Sequence, residues 1–187
     1  DCYHVATSGK AGRTNIYYDR DGPSGNSIKY SNSMGGVSFA VSRGMESATV
    51  DPVMSFAAKT SIMGATVAAG VSQIDYKSAA TADKDPSFVT VGYSIAGLNL
   101  GYAMYDSDNG GEETSMGVGT SMAGLDVGVQ FASYDAGSTS TDTDYMRVSV
   151  NKGMGAASFG VDYIEKYVSG GATLDKDTWK LNYVIGF

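Results

Sequence analysis

The sequence predicts an all-β protein, an antiparallel transmembrane β-barrel of about twelve strands. Three observations carry that expectation. Apolar and small polar residues alternate over stretches of about 9 to 11 residues, the length a tilted strand needs to cross a hydrocarbon layer. A dipeptide ending in glycine recurs between pairs of these stretches, at Gly35-Gly36, Met63-Gly64, Ala96-Gly97, Ala123-Gly124 and Met154-Gly155. Among 187 residues only 18% are charged, while glycine (25) and tyrosine (13) are abundant and proline (3) is scarce. A water-facing surface needs more charge than that, about a quarter of all residues.

The elements follow in order. Strands are expected at 14–21, 27–34, 37–43, 53–62, 65–76, 87–95, 98–106, 114–122, 125–135, 145–153, 156–167 and 178–187, after an irregular segment at 1–13. The whole chain, 1–187, reads as one barrel domain. The second glycines of the dipeptides lie 28, 33, 27 and 31 residues apart, and each dipeptide separates two alternating runs. That is the signature of a tight β-hairpin, whose central residues need positive φ. Between these turns lie longer polar segments: "RGMESATVDP", "KSAATADKDP", "DSDNGGEE", "DAGSTSTDTD" and "SGGATLDKD". Short connections therefore fall at one end of the strands and long ones at the other, as in barrels with short periplasmic turns and longer extracellular loops.

Alternation gives each strand two faces. Val89, Val91, Tyr93 and Ile95 oppose Thr90, Gly92 and Ser94. Leu98, Leu100, Tyr102 and Met104 oppose Asn99, Gly101 and Ala103. Leu125, Val127, Val129 and Phe131 oppose Asp126, Gly128 and Gln130. A soluble β-sandwich also alternates, and is the structural alternative, but its polar face would be rich in Lys, Glu and Arg. Here the second face is mostly Gly, Ser, Thr, Ala and Asn. Such residues suit a concave, wet wall. Tyr17, Tyr18, Tyr76, Tyr105, Tyr134, Tyr145 and Tyr167 crowd the strand ends, where an aromatic belt at the membrane–water boundary is expected.

Several classes fall away. A net charge of −7 argues against nucleic acid, which demands a basic face. Cys2 is the one cysteine, so no internal disulfide forms. No run of 18 apolar residues exists; the nearest, 53–74, is interrupted by Lys59 and split at Met63-Gly64. The first residues show no basic and then apolar leader, so any signal peptide is expected to have been removed already. Cys2 and His4 are too few for a metal site, and His4 is the only histidine for catalysis. No enzyme activity and no cofactor are expected.

The chain ends on "TWKLNYVIGF", with Trp179, Leu181, Tyr183, Ile185 and Phe187 at every second position and Val184 alone breaking the pattern. A closed barrel requires its last strand to be full length and paired, because lipid leaves a bare edge unsatisfied. This strand resembles the C-terminal signature of the bacterial outer-membrane porins. "NSIKYSNSMGGVSFAVS", 26–42, resembles the porin strand pair that follows the constriction loop. The resemblance implies an outer-membrane channel for ions and small hydrophilic solutes, a homotrimer, contact with outer-membrane lipid, and a terminal strand read as an insertion signal. General porins have 16 strands and one long loop folded inward; no connection here is long enough to be that loop. Two readings follow: a self-contained twelve-stranded barrel, or the last twelve strands of a 16-stranded porin with 1–13 as the tail of the constriction loop.

The charges expected to face the lumen are Lys29, Lys59, Asp126, Arg147, Asp162 and Lys180. They either impose a transverse field on solutes or simply keep the interior wet. Asp106, Asp108, Glu112 and Glu113 gather in one loop and are the metal candidates, a Ca²⁺ site in outline, with "TDTD" (141–144) and "LDKD" (174–177) similar. A solvated loop is the plainer reading. The functional alternative to a channel is a non-conducting barrel serving as an adhesin or anchor through its acidic loops.

Overall fold

The computed structural model describes residues 27–108, 111–135, 142–155, 157–169 and 176–185. They form one antiparallel sheet of eleven strands in chain order, a meander in which each strand pairs with the next. The strands are β1 (Ser27–Met34), β2 (Val37–Gly44), β3 (Met54–Ile62), β4 (Ala65–Gln73), β5 (Ser87–Ile95), β6 (Leu98–Asp106), β7 (Glu112–Met122), β8 (Leu125–Asp135), β9 (Thr143–Met154), β10 (Ala157–Val168) and β11 (Lys176–Ile185). The expected strand 14–21 and the segment 1–13 lie outside the described residues, as does Phe187. Among the described residues β1 and β11 each pair on one side only, so the sheet is open between them and the expected twelve-strand closure is not reached.

The hairpin turns behave as their dipeptides require. Met34 pairs with Val37, and the intervening Gly35 and Gly36 have φ of 59° and 82°. Met63-Gly64, Ala96-Gly97 and Ala123-Gly124 repeat this, with φ from 50° to 82° at both residues. Two successive positive φ values give a turn whose twist matches the flanking strands. The last hairpin differs from expectation. Met154 pairs with Ala157, so Met154 ends β9 and the turn begins one residue later, at Gly155.

The long connections are built differently. Asp106 pairs with Glu112, so the two ends of "DSDNGGEE", Asp106 on one side and Glu112 and Glu113 on the other, belong to β6 and β7. The connections 45–53 and 74–86 are tied together. Asp51 N donates to the Asp75 carbonyl (2.9 Å) and Lys77 N to the Thr49 carbonyl (3.1 Å). The Lys77 ammonium pairs with Glu46 and donates to the Ser47 carbonyl at 2.8 Å.

Register fixes which residues share a face. Ser55, Ala57 and Lys59 lie level with Ser72, Gly70 and Ala68, and Gly70 with Phe88. This small-residue face is the buried one: Ala68 and Asp162 are 2% exposed, Ser115 and Ser149 4%. Ala57, Ala68, Phe88 and Tyr105 cluster on it, with Ala40 against them. Gly70 makes room for the Phe88 ring, since a Cβ there would stand 2.3 Å from Phe88 Cε1. The opposite face bears Leu98, Leu100, Tyr102 and Met104, 37% to 43% exposed along the whole of β6. Hydrophobic burial would drive a water-soluble sheet to the reverse arrangement, burying its leucines and exposing its serines.

The expected tyrosine belt needs correction. By register Tyr105, Tyr134 and Tyr145 stand on the small-residue face. Tyr105 is buried beside Phe88, and Tyr145 takes the Lys166 ammonium over its ring at 5.8 Å. Of the expected set described within the strands, Tyr167 alone stands on the apolar face. Proximity to a strand end does not choose a face; parity does.

Candidate functional site

The site is the small-residue face itself. Lys29, Lys59, Asp126, Arg147, Asp162 and Lys180, all anticipated from alternation, fall on this face by register. Sequence reasoning missed Lys166 and Lys176 and left Glu113 without a face; parity carried to the strand ends would have found them. Among the described strand residues the face therefore holds six cations and three carboxylates. The apolar face holds the reverse: Arg43 and Lys152 against Asp106, Glu112, Asp135, Asp144, Glu165 and Asp177. All of these lie toward strand ends, which leaves the centre of the apolar face uncharged. An acidic chain thus turns its cations to one side.

The charges on the small-residue face are arranged in two zones. On β8–β11 Arg147 and Asp162 form an ion pair. Arg147 Nη2 donates to Asp162 Oδ2 at 2.8 Å, and Asn182 Nδ2 donates to the same oxygen at 2.9 Å. Asp162 stands level with Ser149 on β9 and Lys180 on β11. Gly160 admits Asn151 beside this cluster; a Cβ at Gly160 would come within 2.1 Å of Asn151 Oδ1. Asp126 accepts a hydrogen bond from the Ser121 hydroxyl across the hairpin. A carboxylate that is 2% exposed persists because its charge is met by a guanidinium and an amide.

On β1–β5 the face carries two lysines. Lys29 and Lys59 flank β2, level with Ser42 and Ser38 respectively. Between them a groove of about 350 Å³ is lined by both lysines, by Ser31, Ser33 and Ser38, and by Ala57, Ala68 and Phe88. Ser33 and Ser38 hydroxyls bond each other at 2.8 Å.

The four metal candidates do not converge. Asp106 Oδ1 accepts from Asp108 N (2.8 Å), and Asp108 Oδ2 accepts from Asp85 N (2.9 Å). Glu112 and Glu113 are successive strand residues and stand on opposite faces. Among the described residues no three acidic, histidine or cysteine side chains form a metal-binding group. Backbone amides and strand parity claim the carboxylates first.

In the terminal strand, Trp179, Leu181 and Tyr183 all stand on the apolar face, 70%, 74% and 62% exposed. Trp179 packs on Tyr163 with ring centroids 5.0 Å apart. Ile185 ends β11.

The family model for Gram-negative porins matches residues 3–184. The chain belongs to that family. It is accordingly a protein of the bacterial outer membrane. Solved porins share the fold. An anion-selective porin from Comamonas acidovorans superposes with a TM-score of 0.67 at 14% identity, over 86% of this chain and 55% of its own. A mutant of the Rh. blastica porin gives 0.62 at 15% identity, over 84% and 55%. OmpT from Vibrio cholerae, in a trimer form, gives 0.55 at 16% identity, over 84% and 60%. The chain thus spans about 55% to 60% of the length of these porins. No curated protein matches it in sequence.

Proposed function

We propose that this chain forms wall of a water-filled outer-membrane channel through which ions and small hydrophilic solutes diffuse passively. The observation that carries the reading is the inversion of the sheet: exposed leucines and methionines on one face, buried serines and charges on the other. Lipid is the solvent that suits the first, and a column of water suits the second. The channel performs no chemical step. It supplies a polar passage whose wall charges bias what enters. The chain spans about 55% to 60% of the length of the porins it superposes on. A homotrimer follows from the same family likeness, and Trp179, Leu181, Tyr183, Ile185 and Phe187 are the proposed insertion signal.

Planar-bilayer recording tests the reading. Purified, heat-modifiable protein should give stepwise currents in potassium chloride. Silence from protein that is folded by its gel mobility would remove the channel and leave an anchoring role for the acidic loops.

A further inference from the structure

We propose that the inward tyrosines of β8 and β9, Tyr134 and Tyr145, form a stacking site for the pyranose ring of an uncharged sugar. The proposal rests on the channel reading, which puts water in front of this face, and adds a solute class and a place. A tyrosine on the lipid side needs no reason beyond the membrane. One on the wet side does, because its ring is apolar surface left in water. Phe88 and Tyr105 meet this by lying in the wall, 8% and 6% exposed. Tyr145 does not: it is 39% exposed, and Tyr134 is half-buried. Register sets these two side by side. Tyr134 is level with Thr143, so Tyr145 is its diagonal neighbour across the β8–β9 ladder. Diagonal side chains stand about 7–8 Å apart, within reach of aromatic rings. Ala132, level with Tyr145, puts no bulk between them.

The polar groups beside the rings fit the same solute. Glu113 is level with Tyr134 on one flank. Lys166 is level with Tyr145 on the other, its ammonium 5.8 Å from that ring's centroid, and Lys176 follows one strand further on. Sugar hydroxyls donate to a carboxylate and accept from an ammonium, so they use both flanks. A pyranose with equatorial hydroxyls also presents a flat face of C–H groups, which covers ring surface that water wets poorly. Stacking takes the face of a tyrosine and leaves the hydrogen bonds of its hydroxyl in place. An open-chain polyol carries similar hydroxyls without the flat face. The rings therefore rank a cyclic sugar above it.

The test uses the folded, heat-modifiable protein in a deuterated phosphocholine detergent, free of sugar head groups. Its two probes are methyl β-D-glucopyranoside and sorbitol. Magnetisation saturated on the protein's aromatic protons should reach the axial ring protons of the glucoside, and rise saturably with its concentration. Sorbitol should receive far less. Tyr145→Leu keeps apolar bulk and removes the flat face, and should weaken glucoside binding about two- to tenfold, the worth of an aromatic contact beyond its area. Tyr134→Leu should do the same. Tyr145→Phe keeps the ring and should bind like the native protein. Tyr102→Leu, on the apolar face of β6, should change nothing. Equal transfer to both probes, or no saturable transfer to the glucoside, overturns the site without any variant. Glucoside binding unaltered in the folded leucine variants, or lost in folded Tyr145→Phe, overturns it as well. Conduction is read separately in planar bilayers. Potassium chloride steps without glucoside binding remove the site and leave the channel; glucoside binding without steps removes the channel and leaves the site.

Discussion

Asp162 on β10 is the side chain whose removal tests the wall most sharply. Asp162→Asn keeps the shape and deletes the charge. The carboxylate is 2% exposed and holds both Arg147 Nη2 and Asn182 Nδ2. Breaking a fully buried ion pair costs about 3–5 kcal/mol, because an uncompensated charge is left behind. Arg147 retains 27% of its side-chain exposure, so water takes over part of its solvation. The new amide still offers one acceptor oxygen. The expected loss is therefore smaller, about 1–3 kcal/mol. Urea unfolding in lipid vesicles, followed by the heat-modifiable gel shift, measures it. Arg147→Gln should cost a similar amount, and the double variant should cost less than the two singles together by about 1–2 kcal/mol. The reversal potential in a salt gradient should move toward anions in Asp162→Asn, since a carboxylate has left the wall. An unaltered unfolding midpoint, or strict additivity with Arg147→Gln, would refute the pairing as a structural element of the wall.

Three further outcomes follow from the same geometry. Gly70→Ala should destabilise the sheet by about 1–3 kcal/mol, because its Cβ would meet Phe88 Cε1 at 2.3 Å and the Phe56 carbonyl at 2.9 Å; vesicle unfolding checks it. Leu100→Arg should cost about 2–4 kcal/mol in lipid and Asn99→Arg, one residue away on the other face, far less; equal costs would mean that both faces meet the same solvent. Glu46 has its carboxyl held below the usual 4.5 by the Lys77 ammonium beside it. The unfolded value is the higher one, so the contact contributes fully above pH 4.5 and is lost as pH falls through the lowered folded value. Amide protection factors in 45–53, taken relative to the intrinsic exchange rate at each pH, should accordingly fall on acidification, and Glu46→Gln should remove that dependence.

Much of this architecture was legible because side-chain period and backbone period coincide in a strand. Thr90, Gly92 and Ser94 against Val89, Val91 and Tyr93 announce two different solvents without any tertiary information. The X-Gly turns were legible because positive φ at two successive positions leaves few candidates; Met154 misled because it precedes a glycine yet still pairs with Ala157. The terminal strand and the six expected charges were legible for the same reason as the strands. The Arg147–Asp162–Asn182 cluster was not, because its members are 15 to 20 residues apart and meet only through the register of three strands. Nor were the inward tyrosines, where the general habit of aromatic rings at membrane boundaries outweighed the parity that places Tyr105 and Tyr145. The fate of the acidic loop turned on backbone amides at Asp85 and Asp108, which composition does not reveal.

Site-directed spin labels walked along β6, from Asn99 to Met104 in a protein freed of Cys2, test the two-solvent sheet most directly. Dissolved oxygen, which concentrates in lipid, should relax labels at Leu100, Tyr102 and Met104. A water-soluble nickel chelate should relax those at Asn99, Gly101 and Ala103. Accessibility that fails to alternate, or that gives the chelate to the leucine side, would contradict a wall with hydrocarbon behind it and water in front.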